Sequence, residues 1–167
     1  DVVSVDSVCT SMNPKTRDWS CFYEWGPTAV LPILEILGTN IKDYRIIARE
    51  KMDFIKIDFQ YNDAVASIKI GDGVKSEGSL VVSGTKGYVY VPAPWWKTDY
   101  YEVRYEDQTL NKRYFYELDG EGIRYELVSF SKAISNRKTI DIINKDITIK
   151  ISEIMDNFIN KTKLFVI

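Results

Sequence analysis

The chain starts in a stretch whose apolar and polar positions alternate. Between residues 3 and 9 the odd-numbered positions (Val, Val, Ser, Cys) form one face and the even-numbered positions (Ser, Asp, Val) the other. A period of two residues is that of a strand with two different faces. Nothing resembling a leader or cap precedes this strand, so we expect the sequence to be part of a longer polypeptide.

The next apolar segment, GPTAVLPILEILG at 26–38, has helix signals at both ends. Gly26 suits the N-cap, Pro27 the first helical position and Gly38 the residue that ends the helix. Nearly every position between them is apolar, and a helix that is apolar all round is buried all round. We expect this helix to need cover from a second layer that the rest of the chain does not supply.

Pro32 lies inside this helix and has no N–H to donate to the carbonyl of Thr28. Two interpretations are open. The Thr28 carbonyl is aimed at a ligand, or the proline only bends the helix to fit a curved sheet.

Strand-like runs fill residues 42 to 118, with short turn signals between them. Short connections favour antiparallel neighbours, and we interpret Gly71-Asp72-Gly73 as a hairpin turn rather than part of a nucleotide-binding loop. Helices are predicted at 121–134 and 148–162 from apolar spacings of three and four. The expected runs are 43–50, 52–61, 64–71, 78–84, 87–92, 100–106 and 112–118.

These elements predict one α+β domain over residues 1–167, a large and mostly antiparallel open sheet with helices packed on one face. The other face of the sheet should be too large and apolar to remain in water. We therefore expect it to form a homodimer.

Composition narrows the function further. The net charge is -2 with scattered basic residues, and no apolar run approaches membrane-spanning length, so we expect neither nucleic acid nor a membrane as partner. The two cysteines, Cys9 and Cys21, suit reduced buried thiols in a cytoplasmic protein. The sequence contains no histidine, which excludes His-dependent nucleophiles and His-ligated zinc within this chain.

Two segments could contact a ligand. PAPWWKT at 92–98 presents Trp95, Trp96 and Lys97, which could stack on a sugar ring and meet an anion, or could pack on the sheet or a subunit. WSCFYEW at 19–25 contains Glu24 just before the apolar helix. Glu24 could orient a substrate hydroxyl or interact with the helix dipole.

The order of these segments resembles the C-terminal domain of the glucose–fructose oxidoreductase/inositol dehydrogenase family. The resemblance rests on the GPTAVLPILEILG helix, the run GTKGYVYVPAPWWKTDYYEVRYED and the segment GEGIRYELVSFSKAI. It implies a partner N-terminal Rossmann domain that binds NAD or NADP, with no cofactor bound by this chain. It also implies a substrate pocket and a dimer interface in this domain, with Glu24, Thr28, Trp95, Trp96, Lys97 and Arg124 as pocket-lining candidates.

The chain departs from the family at two positions. Many members have a histidine near the start of this helix and an aspartate three residues later, where this sequence has Thr28 and Leu31. Leucine transfers no proton, and a threonine hydroxyl is a poor general base. The catalytic residues therefore stay unassigned.

Two functions follow. The first is the substrate-binding and dimerisation domain of an NAD(P)-dependent oxidoreductase acting on a sugar or polyol, inactive alone. The second is a free-standing, non-enzymatic module that uses the same sheet to dimerise or to bind carbohydrate.

Overall fold

The structure is a computed structural model that describes residues 1–12, 20–117, 119–136 and 144–167. Trp19, the first residue of the aromatic run ahead of the apolar helix, lies outside the described residues. The elements are β1 (Val2–Ser11), α1 (Cys21–Leu37), β2 (Asp43–Ala48), β3 (Phe54–Gln60), β4 (Val65–Asp72), β5 (Leu80–Gly84), β6 (Gly87–Val91), β7 (Tyr100–Arg104), β8 (Lys112–Phe115), α2 (Ile123–Asn136), α3 (Lys145–Ile159) and β9 (Leu164–Val166). Short 3-10 helices span Gln108–Leu110 and Asp119–Gly122.

The strands form one nine-stranded, mostly antiparallel sheet in the order β8-β7-β6-β5-β1-β4-β3-β2-β9. Two antiparallel meanders, β2–β4 and β5–β8, are joined by β1, which is parallel to β4 and antiparallel to β5. The C-terminal β9 pairs in parallel with β2. The predicted fold class, an α+β domain built on a large open sheet, is confirmed.

The interpretation of Gly71-Asp72-Gly73 as a hairpin turn is wrong. Gly71 and Asp72 still pair with β1, and Gly73 has a φ of 72° just after the strand ends. The chain then passes around the end of β1, where the Val74 N–H donates to the Ser11 carbonyl at 3.0 Å. Because β1 occupies the place next to β4, β4 and β5 cannot be hairpin neighbours.

The core lies between one face of the sheet and the helices α1 and α3. Alternate residues of the central strands point into it, and those of β4, Ala66, Ile68 and Ile70, are all buried as the AVASIKI pattern predicts. Phe22 of α1 and Phe158 of α3 pack with ring centroids 4.6 Å apart. The two helices thus cover the β1–β4 part of the sheet together.

The predicted start of α1 at Gly26 is wrong. The helix begins at Cys21, because the Ser20 side chain accepts a hydrogen bond from the Phe22 N–H at 3.2 Å and thereby caps it. Gly26 is instead a buried helical residue. A Cβ at Gly26 would lie 2.9 Å from the Phe22 ring and 3.2 Å from Met155 Sδ, so its lack of a side chain lets α1 approach α3.

The described residues cover only one side of this helix, as expected of a chain that lacks the second layer, and cover of its outer side by another domain stays a prediction. Its inner side, which includes Ala29, Val30 and Ile33, is buried, whereas Glu35 and Ile36 are exposed and Leu31 is half-buried. The outer side of α1 therefore remains open to solvent in this chain.

The open face of the sheet differs in character from one end to the other. Over β1–β4 it is polar: the Asp6 carboxylate accepts hydrogen bonds from Ser67 at 2.5 Å and Ser4 at 2.9 Å, and Lys56 pairs with Asp58 at 2.7 Å. These residues line a shallow groove of about 610 Å³. The expectation that the open face is too apolar to remain in water is therefore wrong for this part of the sheet.

The same face over β6–β8 is built of tyrosines and arginines. The Arg104 guanidinium lies 4.6 Å from the Tyr90 ring centre, and that of Arg113 lies 4.6 Å from the Tyr100 ring centre. Glu102 accepts from Arg104 Nε at 2.6 Å and from Arg113 Nε at 2.9 Å, and these hydrogen bonds lower the pKa of its carboxyl. We call Tyr90, Tyr100, Glu102, Arg104 and Arg113 the tyrosine–arginine ladder.

The predicted helix near 121–134 forms as α2, but none of its residues is buried. It packs mainly against the 3-10 helix that precedes it. Its apolar stripe points away from the rest of the described molecule. No helix within the described residues is long and apolar enough to cross a membrane.

Candidate functional site

The N-terminus of α1 is fixed to the turn between β2 and β3. The Ser20 hydroxyl and the Cys21 thiol both donate to the Met52 carbonyl, each at 3.4 Å. Met52 itself has a φ of 54°, which points its carbonyl at the start of the helix in a tight turn. This anchoring holds the first turn of α1, with Glu24 in it, at one end of the sheet.

The two cysteines lie in the core and do not provide nucleophiles. Burial raises the pKa of Cys9 to about 12. Burial, reinforced by the nearby Asp72 carboxylate, raises the pKa of Cys21 to about 12. Both thiols are therefore protonated at neutral pH, and the thiolate is the reactive form.

The loop at 92–98 folds back over the same end of the sheet. The backbone N–H of Trp95 donates to the Gly78 carbonyl at 2.9 Å, and the Trp96 ring lies against Gly78, where a Cβ would be 3.3 Å from it. The Trp95 and Trp96 ring centres are 5.9 Å apart in an edge-to-face arrangement. Both rings are half-buried, so packing on the sheet holds them in place.

A contact between tryptophans joins this loop to α1. Trp25 follows Glu24 on the first turns of the helix, and its ring centre lies 5.0 Å from that of Trp96. Glu24 and Thr28 are four residues apart in the helix and so share one side of it. The structure thus connects the 92–98 loop to α1 through Trp25, and the grouping of Glu24 and Thr28 with Trp95 and Trp96 in one site stays a prediction. Sequence reasoning did not single out Trp25, although its place in the aromatic run 19–25 was a signal.

Lys97 and Arg124 are less closely tied to this cluster. Lys97 is exposed at the end of the loop. Arg124 is exposed near the start of α2, and the register of β7 and β8 places Tyr100 opposite Phe115. β8 therefore ends where the 92–98 loop meets β7, and the chain leaves the sheet for α2 at the same end as the tryptophans.

The tryptophans offer rigid aromatic surface to a ligand, but the helix beside them offers little for proton transfer. Thr28 and Leu31 are half-buried on α1 and add no strong acid or base. Within the described residues, no three Cys, Asp or Glu side chains come close enough to hold a metal ion.

The fold of this chain is similar to that of solved oxidoreductase structures, although its sequence matches no known family. No protein-family model matches the sequence, and no curated protein does. A 3-ketoreductase from Actinomadura kijaniata, KijD10, crystallised with NADP and TDP-benzene, matches all of this chain with a TM-score of 0.79 at 10% identity, over 54% of its own length. An oxidoreductase from Bacillus cereus matches 96% of this chain with a TM-score of 0.71 at 14% identity, over 57% of its own length.

The chain has the fold of these oxidoreductases. The probable oxidoreductase yhhX adds a third match, with a TM-score of 0.62 at 16% identity over 95% of this chain and 55% of its own. The fold implied by the resemblance to the glucose–fructose oxidoreductase/inositol dehydrogenase family is thereby confirmed. The chain spans about half the length of each structure it matches.

Proposed function

We propose that this chain is the substrate-binding and dimerisation half of an NAD(P)-dependent oxidoreductase acting on a sugar or polyol, and that it is inactive alone. The observation that carries the proposal is the match of the whole chain to about half of an oxidoreductase crystallised with NADP. The cofactor, NAD or NADP, belongs in this proposal to an N-terminal Rossmann domain. Such a site requires a strand, a glycine-rich turn and a helix in succession, whereas Gly71-Asp72-Gly73 leads into a loop and then β5.

The proposed substrate class rests on α1 and on the tryptophan cluster, by which we mean Trp25, Trp95 and Trp96. Trp96 and Trp95 supply rigid aromatic surface, Glu24 and Thr28 supply polar groups on one side of a fixed helix, and Lys97 supplies a cation at the rim. A polyhydroxylated ring uses both kinds of contact. A cytoplasmic location belongs to the same proposal, since Cys9 and Cys21 are free thiols, as expected in a reducing compartment.

The first experiment is the mass of the protein made from its native gene. A protein larger than this 19.3 kDa chain by a Rossmann domain, with NAD or NADP binding by the purified protein, supports the oxidoreductase. A native product of 19.3 kDa supports the free-standing module instead and contradicts the proposal.

In the full-length enzyme, Trp96→Ala should raise KM more than it lowers kcat, because the ring contributes binding surface and no proton transfer. Lys86→Ala, in the turn between β5 and β6 at the far end of the sheet, is the control and should leave both constants unchanged. An unchanged KM for Trp96→Ala would remove the tryptophan cluster from the substrate site.

We further propose that the open face of the sheet forms a homodimer. Nine strands averaging about six residues, at about 4.8 Å between strands and about 3.3 Å per residue, make a face of roughly 800 Å². A standard interface buries about the same area per partner. The tyrosine–arginine ladder supplies the residue types enriched in interface hot spots.

Light scattering from micromolar to near-millimolar protein tests the dimer. Tyr90→Asp changes the ladder, whereas Tyr101→Asp places the same charge on the opposite face of the neighbouring strand. The dimer should dissociate with the first variant and persist with the second. A monomer for the unmodified chain at every concentration, or equal effects of the two variants, contradicts the proposed interface.

A further inference from the structure

The most exposed apolar feature of the described chain is one side of α2. Ile123, Leu127, Phe130 and Ile134 are between 61% and 64% exposed, and no residue of this 14-residue helix is buried. An isolated helix of this length is marginal in water, and helices in proteins are stabilised mainly by packing an apolar side. The stripe therefore indicates a surface that is covered in the complete molecule.

The spacing of the stripe specifies the shape of what covers it. The intervals of four, three and four residues form a narrow seam of the kind that packs along another helix, rather than the wider band of a helix lying on a sheet. Within the described residues, α1 and α3 already turn their apolar sides to the core. The open face of the sheet carries polar groups over β1–β4 and the ladder over β6–β8. The described residues thus offer no ready partner for this seam.

The end of β8 indicates where the partner lies. β8 ends beside the 92–98 loop, so the chain leaves the sheet for α2 at the end that holds Trp95, Trp96 and the first turns of α1. In the proposed oxidoreductase, the cofactor-binding half must reach this same end for a hydride to pass between cofactor and substrate. The structures with this fold have nearly as much further chain again. A doubly wound cofactor domain carries helices on its outer faces, which suits a helical seam.

We propose, resting on the proposed function, that the α2 stripe is the surface on which the cofactor-binding half of the same polypeptide docks. Leu127 and Phe130 are at its centre. The contact holds the two halves around the tryptophan cluster. The occupant is thus a helix of the cofactor domain rather than a second copy of this chain.

Hydrogen exchange tests the proposal on the full-length protein from the native gene, with the 167-residue chain measured in parallel. Amides of 123–136 should exchange about tenfold or more slowly in the full-length protein, independently of protein concentration. The core of β1–β5, α1 and α3 contains no α2 residue, so the shorter chain retains its fold for this comparison.

Matched variants give the second readout. Leu127→Asp should remove the added protection and lower the Tm of the full-length protein while leaving the Tm of the 167-residue chain unchanged. Lys132→Asp, on the opposite side of α2, should change neither the hydrogen-exchange protection nor the Tm of the full-length protein. Equal Tm losses in both proteins would show that the stripe packs within this chain and would overturn the proposal.

The remaining outcomes separate the two proposals. A full-length protein that binds NAD or NADP but exchanges rapidly at 123–136 refutes the α2 contact and leaves the proposed function standing. Protection that rises with protein concentration assigns the stripe to a second copy and refutes the cofactor half as occupant. A gene without any further domain refutes both.

Discussion

The close approach of α1 to α3 at Gly26 can be tested by adding one methyl group. In Gly26→Ala the new Cβ would lie 2.9 Å from the Phe22 ring, which is fully buried and packed 4.6 Å from Phe158, and 3.2 Å from Met155 Sδ. The Met155 side chain can move, but the Phe22 ring has no free space to move into. The substitution therefore overpacks the junction between the two helices.

Two effects of opposite sign set the magnitude. Replacing glycine by alanine inside a helix gains about 1 kcal/mol in helix propensity. Overpacking a well-filled core costs about 1–3 kcal/mol. Because the contact falls below any ordinary Cβ distance and its neighbour is a buried ring, we expect a net loss of about 1–2 kcal/mol in the free energy of unfolding. At about 2–4 °C per kcal/mol for a chain of this size, the Tm should fall by roughly 3–6 °C.

Urea unfolding followed by tryptophan fluorescence measures this loss, and a double-mutant cycle with Phe22→Leu assigns its cause. Leucine at position 22 removes the edge of the ring, so in that background Gly26→Ala should be neutral or stabilising by up to about 1 kcal/mol. If Gly26→Ala alone raises the free energy of unfolding, or if its cost is the same in both backgrounds, the overpacking of the Phe22 ring by a side chain at position 26 is refuted.

Three further predictions concern the thiols, the tryptophan loop and a helix cap. The folded-state pKa values of Cys9 and Cys21 are raised to about 12, so their contribution to stability is complete below the unfolded-state pKa and is lost as pH rises from about 9 to 12. Urea titrations across that range should show a shallower decline in a Cys9→Ala variant. Trp96→Ala should lower the free energy of unfolding by about 2 kcal/mol because the ring is half-buried, whereas Lys97→Ala should change it by no more than about 0.5 kcal/mol. Thermal unfolding of both variants checks this, and equal losses would contradict the packing of Trp96 on the sheet. Asn144 caps α3 by accepting from the Asp146 N–H at 2.9 Å, so Asn144→Ala should lower the unfolding free energy by about 1 kcal/mol; a neutral result in denaturant unfolding would count against the cap.

Eight of the nine strands could be located from the sequence, because a strand's period of two residues depends only on neighbouring positions. The run AVASIKI gave β4 and its buried face, and the Thr85-Lys86 turn gave the β5–β6 hairpin. β1 was also recognisable as a strand from its alternation. The three-residue β9 carries too short a pattern to show a period.

The boundaries of the helices could be predicted less well from the sequence. Gly26 and Pro27 predict a helix start at that point, yet α1 begins at Cys21. The Ser20 cap and the packing of Phe22 stabilise about one and a half further turns ahead of the predicted start. The sequence singled out Glu24, Trp95 and Trp96 as candidate site residues, and their role stays a prediction. It did not show the Trp25–Trp96 contact that joins the two segments.

The sequence by itself determined the types of the elements, the faces they bury and the absence of histidine chemistry, because these depend on residue identity and on spacings of a few positions. Only the tertiary structure decided that β1 separates the two meanders, that the open face is polar at one end and aromatic at the other, and that the α2 stripe is uncovered. The order of the strands and the burial of each apolar surface by another element depend on contacts between residues far apart in the chain. Such contacts are fixed by the packing of the whole domain and leave no local period in the sequence.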